Sequence, residues 1–181
     1  MDKSASSRTL LRASVLALAI LAPGALPVAV AAEADVALIK SYVGNWRGRG
    51  DIVWGGGTEE AETLLCRMSV EDTAPTKIGV DGRCSLAGGT LNMLGTIAYV
   101  DATRRFEAIV SSNTAFTGIA IGHRTGESLS FDLRDYKGDD DSLYDISAQI
   151  ELNGDAIQMS MRVVNKESGQ VTLADIPFER R

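Results

Sequence analysis

The sequence is poor in the residues from which most catalytic and metal sites are built. It contains a single histidine, His123, and two cysteines, Cys66 and Cys84. A multi-histidine metal site therefore lacks its ligands, and the parts of a hydrolase triad are missing. The cysteines do not form a Cys-x-x-Cys redox motif, and no Gly-Lys-Ser/Thr follows Gly48 to make a phosphate-binding loop. These absences predict that the protein is not an enzyme and needs no cofactor.

Two features remain as candidates for a bound metal. His123 is expected at a strand end, where it would be either solvated or an axial haem ligand. The acidic run Asp139–Asp141 lies close to Ser142 and Asp145, and their oxygens could hold calcium. The run lacks the glycine and bidentate glutamate of an EF-hand loop, so a charged hairpin tip is the preferred interpretation. No metal site is predicted.

Residues 1–32 have the pattern of a secretory signal peptide. A basic start is followed by the apolar run Ala13–Ala22, by Pro23-Gly24, and by small residues that allow cleavage after Ala31, Ala32 or Ala34. The alternative is an uncleaved membrane anchor, which the proline and glycine disfavour. We therefore expect a periplasmic or secreted protein that is not inserted in a membrane after signal removal.

The remaining residues, 33–181, are expected to form one domain, because that length suits one core and no linker or low-complexity tract interrupts it. The net charge of −6 disfavours nucleic acid and anionic membrane surfaces as partners. The oligomeric state is not specified by the sequence.

Turn signals recur about every ten residues from Gly44 onward, and the segments between them alternate apolar and polar residues. Asn153-Gly154 between two such segments is a strong hairpin signal. This pattern predicts an all-β fold, a roughly ten-stranded antiparallel up-and-down barrel. A short N-terminal helix over Ala34–Val43 is predicted to plug one end. Six residues are predicted to line the barrel: Met68, Met93, Tyr144, Ile146, Met159 and Met161.

The two cysteines are predicted to form a cross-strand disulfide. If the strands around Pro75 pair symmetrically, Cys66 faces Cys84, and the apolar residues of both strands share one face. Export would permit the bond to form. The alternative is a pair of buried free thiols.

Gly44-Asn45-Trp46-Arg47-Gly48-Arg49-Gly50 resembles the Gly-x-Trp-x-Gly-x-Gly opening of nitrobindin-like and other calycin barrels. The resemblance implies a short helix before the motif and about ten antiparallel strands after it. It also implies that a late arginine, Arg180 or Arg181, lies over Trp46 and closes the barrel. On this basis Gly44, Trp46 and the two arginines are structural closure residues.

The resemblance does not extend to the haem site. Nitrobindins bind haem through a histidine near the C-terminal strand, and residues 170–181 contain none. The middle of the chain, with Cys66-Arg67 and Gly82-Arg83-Cys84, resembles small exported proteobacterial proteins.

These observations predict a periplasmic, non-enzymatic binding protein that holds a small apolar or lipid-like ligand in its barrel. Haem is a minor variant of that hypothesis. The alternative is a structural or interaction protein with a filled barrel, which docks on an envelope partner or inhibits an exported enzyme. An outward apolar strip formed by Ile109, Ile119 and Ile121 would favour the alternative.

Overall fold

The computed structural model describes residues 28–56, 59–113, 117–138 and 140–181. One helix is followed by ten strands. Their bounds are α1 Val28–Ser41, β1 Gly44–Val53, β2 Glu62–Ala74, β3 Lys77–Leu86, β4 Gly89–Val100, β5 Arg105–Ser112, β6 Thr117–Thr125, β7 Ser128–Lys137, β8 Leu143–Asn153, β9 Ala156–Asn165 and β10 Val171–Arg180. Residues 1–27, most of the predicted signal peptide, lie outside the described residues.

The strands form a closed barrel in which each strand pairs with its neighbours in the sequence and β1 pairs with β10. Every pairing is antiparallel. Closure removes the two free edges that an open sheet of these strands would have. The predicted ten-stranded antiparallel barrel with a short preceding helix is confirmed.

The helix bounds differ from the prediction of Ala34–Val43. Helix α1 begins earlier, at Val28, because the alanine-rich residues before position 34 favour helix and belong to its first turns. It ends at Ser41, two residues earlier than predicted. Gly44 has a φ of 147°, which a helix does not allow and which favours glycine.

The core is densest at the end of the barrel that α1 covers, which we call the helix end. The turns β2–β3, β4–β5, β6–β7 and β8–β9 surround it. Lys40 ties the helix to the first of these turns, since its Nζ contacts Asp72 and donates to the carbonyls of Ala74 (2.5 Å) and Lys77 (3.0 Å). Side chains buried at this end are Leu38, Ile39, Tyr42, Trp46, Val70, Ile78, Tyr99, Phe106, Leu129, Ile157 and Phe178.

Cys66 and Cys84 are direct neighbours across β2 and β3, and their sulfurs are bonded at 2.05 Å. The same register pairs Met68 with Gly82 and Val70 with Val80. The predicted disulfide is confirmed, and with it the pairing about residue 75. The bond links two strands that already pair along their length, so it fixes the register of one wall of the barrel.

Replacing both cysteines, Cys66→Ala with Cys84→Ala, is expected to lower the free energy of unfolding by about 3 kcal/mol. The reason is that the unfolded chain loses a cross-link that closes a loop of 18 residues. Urea unfolding of the variant and of the oxidised wild type measures the difference. Equal stability, or two titratable thiols in the unfolded and unreduced wild type, would contradict the disulfide.

Candidate functional site

Trp46 and Arg180 form one unit at the helix end. They are direct partners across β1 and β10, and the Arg180 guanidinium carbon lies 4.2 Å from the centre of the Trp46 ring. Trp46 is 1% exposed. A cation over an indole face at this distance stabilises by about 0.5–2 kcal/mol. Arg181 follows the strand with an exposed side chain, and its backbone N–H donates to the carbonyl of Asn45.

This unit also supplies donors for the end of α1. A helix leaves its last carbonyls without partners, and so does the loop that follows it. Arg180 donates from Nη2 to the carbonyl of Ser41 (3.1 Å) and from Nη1 to that of Val43 (2.7 Å). Trp46 donates from Nε1 to the carbonyl between them, that of Tyr42 (2.9 Å). Three successive carbonyls are therefore satisfied by two side chains from the strands that close the barrel.

The glycines of β1 make room for this arrangement. A Cβ on Gly44 would lie 2.5 Å from Nη1 of Arg180. A Cβ on Gly50 would collide with the backbone of Asp175, and one on Gly48 would lie 2.8 Å from side-chain atoms of Ile176 and Phe178. The Gly-x-Trp motif therefore fixes how closely β1 approaches β10.

Tyr42 completes the seal. Its hydroxyl lies 3.3 Å from the carbonyl oxygens of Glu127 and Ile150, with which it can hydrogen bond. Burial, followed by the negative charge of Glu127, raises the pKa of Tyr42 well above its usual range. The folded protein therefore favours the neutral phenol. Above the ordinary tyrosine pKa the phenol ionises more readily in the unfolded chain than in the folded one, so the free energy of unfolding falls at strongly alkaline pH.

The opposite end of the barrel is different, and we call it the open end. Inward-facing side chains of β4 to β10 are partly exposed at several places, and Ile97, Ile150 and Leu152 nearer the helix end are among them. At the open end, which no described helix covers, the partly exposed residues are Leu91, Met93, Leu133, Tyr144, Ile146, Val163 and Thr172. None of these seven side chains is charged. On the β1–β3 wall four inward residues near this end are buried, namely Ile52, Leu64, Cys66 and Cys84, while Leu86 is partly exposed. Solvent therefore reaches apolar interior residues at the open end, and more of them on β4 to β10 than on the β1–β3 wall.

Aromatic residues surround this entrance. Tyr136 of β7 pairs directly with Tyr144 of β8, just beyond an irregularity in which β7 shifts register after Leu133. Asp135 in that irregularity has a φ of 53°, and its N–H donates to the carboxylate of Asp145 (3.0 Å). Such bulges turn the side chains that follow them. Trp54, directly after β1, is 36% exposed at the same end.

The six residues predicted to line the barrel fall into two groups. Met68, Met159 and Met161 pack against the buried core. Met93, Ile146 and Tyr144 belong to the partly exposed set at the entrance. The Tyr144 hydroxyl donates to Asp140 (2.8 Å), which raises the pKa of the tyrosine and lowers the pKa of Asp140.

The other sequence candidates lie apart from the interior. His123 is exposed on β6, in a surface cavity of about 390 Å³ near the helix end that Arg104, Arg105 and Arg124 also line. In the acidic run, Asp141 pairs with Lys137 (2.6 Å), and Asp139 lies outside the described residues. Among the residues that the structure describes, no three histidine, cysteine or acidic side chains are placed to hold a metal ion.

Sequence reasoning missed Tyr42, Trp54 and Tyr136. Tyr42 carried no motif, and its role depends on carbonyls brought near it by the turn between β6 and β7 and by β8. Tyr136 follows the irregularity in β7, and an irregularity of register is not visible in the alternation of residue types. Trp54 lies beyond the Gly-x-Trp motif, at a turn rich in glycine.

No family model and no curated protein matches this sequence. Solved structures do match. The S-type phycobiliprotein lyase CPES from Guillardia theta has a TM-score of 0.59 at 11% identity, covering 80% of this chain and 91% of that one. Rv2717c from M. tuberculosis has a TM-score of 0.58 at 14% identity, covering 81% and 97%. The fold is therefore that of the lipocalin-like or calycin-like ten-stranded barrels.

The first of these matches contradicts the prediction that the protein is not an enzyme. A barrel of the same fold is found in a protein named as a lyase. The prediction was drawn from missing histidines and cysteine motifs, and those absences do not exclude chemistry by carboxylates or tyrosines. The identity is low and fold alone does not define a reaction.

In the described part of the chain, no helix has the length and apolar character that a membrane span requires.

Removing the closing guanidinium, Arg180→Ala, is expected to lower the free energy of unfolding by about 2–4 kcal/mol. The hydrogen bonds to the carbonyls of Ser41 and Val43, the exposed ion pair with Asp155 and the contact with Trp46 are lost together. Arg181→Ala is the matched control, since it removes the adjacent, exposed guanidinium and should change stability by less than about 0.5 kcal/mol. Urea unfolding compares them. Equal stability of the two variants would show that Arg180 does not close the barrel.

Proposed function

We propose that the barrel binds one small apolar or lipid-like ligand through its open end. The observation that carries the proposal is the partial exposure of inward-facing, uncharged side chains at the end of the barrel that helix α1 does not cover. An apolar surface that solvent reaches from inside a barrel gains free energy when a ligand covers it, by about 25 cal/mol for each Å² removed from water. Ten-stranded barrels have room for one such molecule or for side chains alone.

The chemistry of the entrance supports an apolar ligand with a polar end. Leu91, Met93 and Ile146 offer methyl and thioether groups, and methionine adapts to ligands of irregular shape. Tyr136 and Tyr144 add aromatic faces with a hydroxyl at the rim, an arrangement that suits a boundary between an apolar interior and water. Met68, Met159 and Met161 would form the deeper lining.

Residues 1–32 are proposed as a signal peptide, and residues 33–181 as one exported domain that acts in the periplasm or outside the cell. The support is the sequence pattern of the first 32 residues, together with a disulfide that an oxidising compartment would preserve.

A second candidate function has one observation in its favour. Ile109 and Ile119 are direct neighbours across β5 and β6 and are 51% and 56% exposed. Leu94, on the adjacent β4, is 60% exposed. This outward apolar strip is what docking on an envelope partner would use. Ile121, the third residue of the predicted strip, is only partly exposed.

The entrance is tested with N-phenyl-1-naphthylamine, a neutral apolar dye that fluoresces when it leaves water. Wild type is expected to bind it saturably. Met93→Lys should weaken dye binding by about tenfold or more, because the bound apolar dye would remove water from the lysine ammonium without offering it a partner. Leu94→Lys adds the same charge to the outer face of the same strand and should bind like wild type.

Ile146→Trp provides an uncharged test, since the larger ring narrows the entrance and should also weaken dye binding. Native mass spectrometry of the protein purified from its own host would then give the mass of the natural ligand. Dye binding that is absent from wild type, or equal in Met93→Lys and Leu94→Lys, would contradict a site at the open end. Co-purification of a stable protein partner would favour the second candidate.

A further inference from the structure

The outer face of the β1–β3 wall carries a row of arginines. Arg47 is the direct cross-strand partner of Arg67, and Arg67 is the direct partner of Arg83. All three side chains are exposed. Arg49, two residues along β1, lies next to them, and we call these four residues the arginine row. It stands out on a chain whose net charge is −6.

None of the four arginines forms an ion pair or a side-chain hydrogen bond with any described residue of the chain. Other exposed cations differ in this respect, since Arg134, Lys137 and Lys166 have carboxylate partners whereas Arg104 and Arg162 have none among the described residues. The row is flanked by Glu179 on β10 and by Asn92 on β4, and Asp51 and Asp81 lie on the same outer face two residues along β1 and β3. None of these three carboxylates lies within ion-pair distance of the row. The guanidinium groups therefore keep their donors free.

Like charges directly opposite on neighbouring strands destabilise a sheet. Here the strands cannot slip to separate them. The disulfide joins Cys66 to Cys84, the residues immediately before Arg67 and immediately after Arg83, and so holds those two arginines opposite each other. At the other edge, Trp46 and Arg180 fix the position of β1 and with it Arg47. The fold thus holds three guanidinium groups side by side although their mutual repulsion costs stability.

The spacing of the row limits what can pair with it. Neighbouring strands lie about 4.8 Å apart, so three guanidinium groups repeat at that interval across the strands. A linear polysaccharide with one carboxylate on each sugar ring advances by one ring for each charge, and rotation about its glycosidic bonds can turn successive carboxylates toward successive strands. An extended acidic peptide presents side chains on one face every second residue, about 6.8 Å apart, which fits less well. Guanidinium groups bind carboxylates in a bidentate manner.

An apolar contact is available beside the charges. Leu65 is the direct partner of Arg49 and is 55% exposed on the same outer face. The less polar face of a sugar ring can pack on such a side chain while its carboxylate meets an arginine. We propose that the arginine row binds a linear acidic polysaccharide across β1, β2 and β3. This site lies outside the barrel and is independent of the ligand entrance.

The probe is an oligogalacturonate of at least four sugars, titrated into the intact protein by calorimetry at low and moderate salt. Its methyl ester, which has the same backbone without charge, should not bind. Arg67→Gln with Arg83→Gln should weaken binding at least tenfold, because two charge-assisted contacts are lost. The melting temperature of this pair should equal or exceed that of wild type, since like-charge repulsion is removed.

Arg104→Gln with Arg162→Gln is the control pair. It removes two positive charges that also lack ion pairs, from a turn and a strand outside the row, and should bind the probe like wild type. The proposal is overturned if wild type does not bind the oligogalacturonate, or if the two pairs of variants bind equally. It is also overturned if polyglutamate of equal charge binds as tightly, since the surface would then fit an acidic peptide. Dye binding at the entrance should be unchanged in every variant.

Discussion

Donation by Arg180 and Trp46 to the carbonyls of residues 41–43 is the interaction on which the arrangement of this barrel depends. The end of a helix and the loop after it present carbonyl acceptors that have no partner within the helix. Arg180 comes from the last strand and Trp46 from the first, so the pair that satisfies those acceptors also joins β1 to β10. Helix docking, tryptophan burial and barrel closure are therefore one event.

With the helix end covered in this way, the open end is the route to the interior that the described residues leave. There the entrance is bordered by a bulged strand, two tyrosines and uncharged inward side chains on β4 to β10. The β1–β3 wall remains packed, and the Cys66–Cys84 bond fixes it. That wall therefore has a rigid outer face, and the arginine row lies on it. The proposed ligand site depends on the partly exposed interior of the barrel. The proposed polysaccharide site depends on the fixed register of strands β1 to β3.

Much of this architecture was accessible from local sequence signals, because turns, alternation and the hairpin at Asn153-Gly154 depend on neighbouring residues. The cysteines even defined one register. The helix bounds were wrong since the alanines before residue 34 suit both a signal peptide and a helix. The entrance could not be predicted, because it depends on which inward side chains solvent reaches in the folded barrel. The arginine row could not be predicted either, because it depends on the registers of two different strand pairs. Missing histidines also proved a poor reason to exclude enzymatic activity.

Acrylamide quenching of tryptophan fluorescence tests the central claim most directly, because the two tryptophans lie at opposite ends. Trp54→Phe leaves Trp46 as the only emitter, and Trp46 is 1% exposed beneath Arg180. The account predicts that acrylamide quenches the fluorescence of this variant very weakly. The part of the wild-type fluorescence that acrylamide does quench should be absent, because it comes from Trp54. Quenching of Trp46 as strong as that of tryptophan free in water would show that the helix end is not sealed.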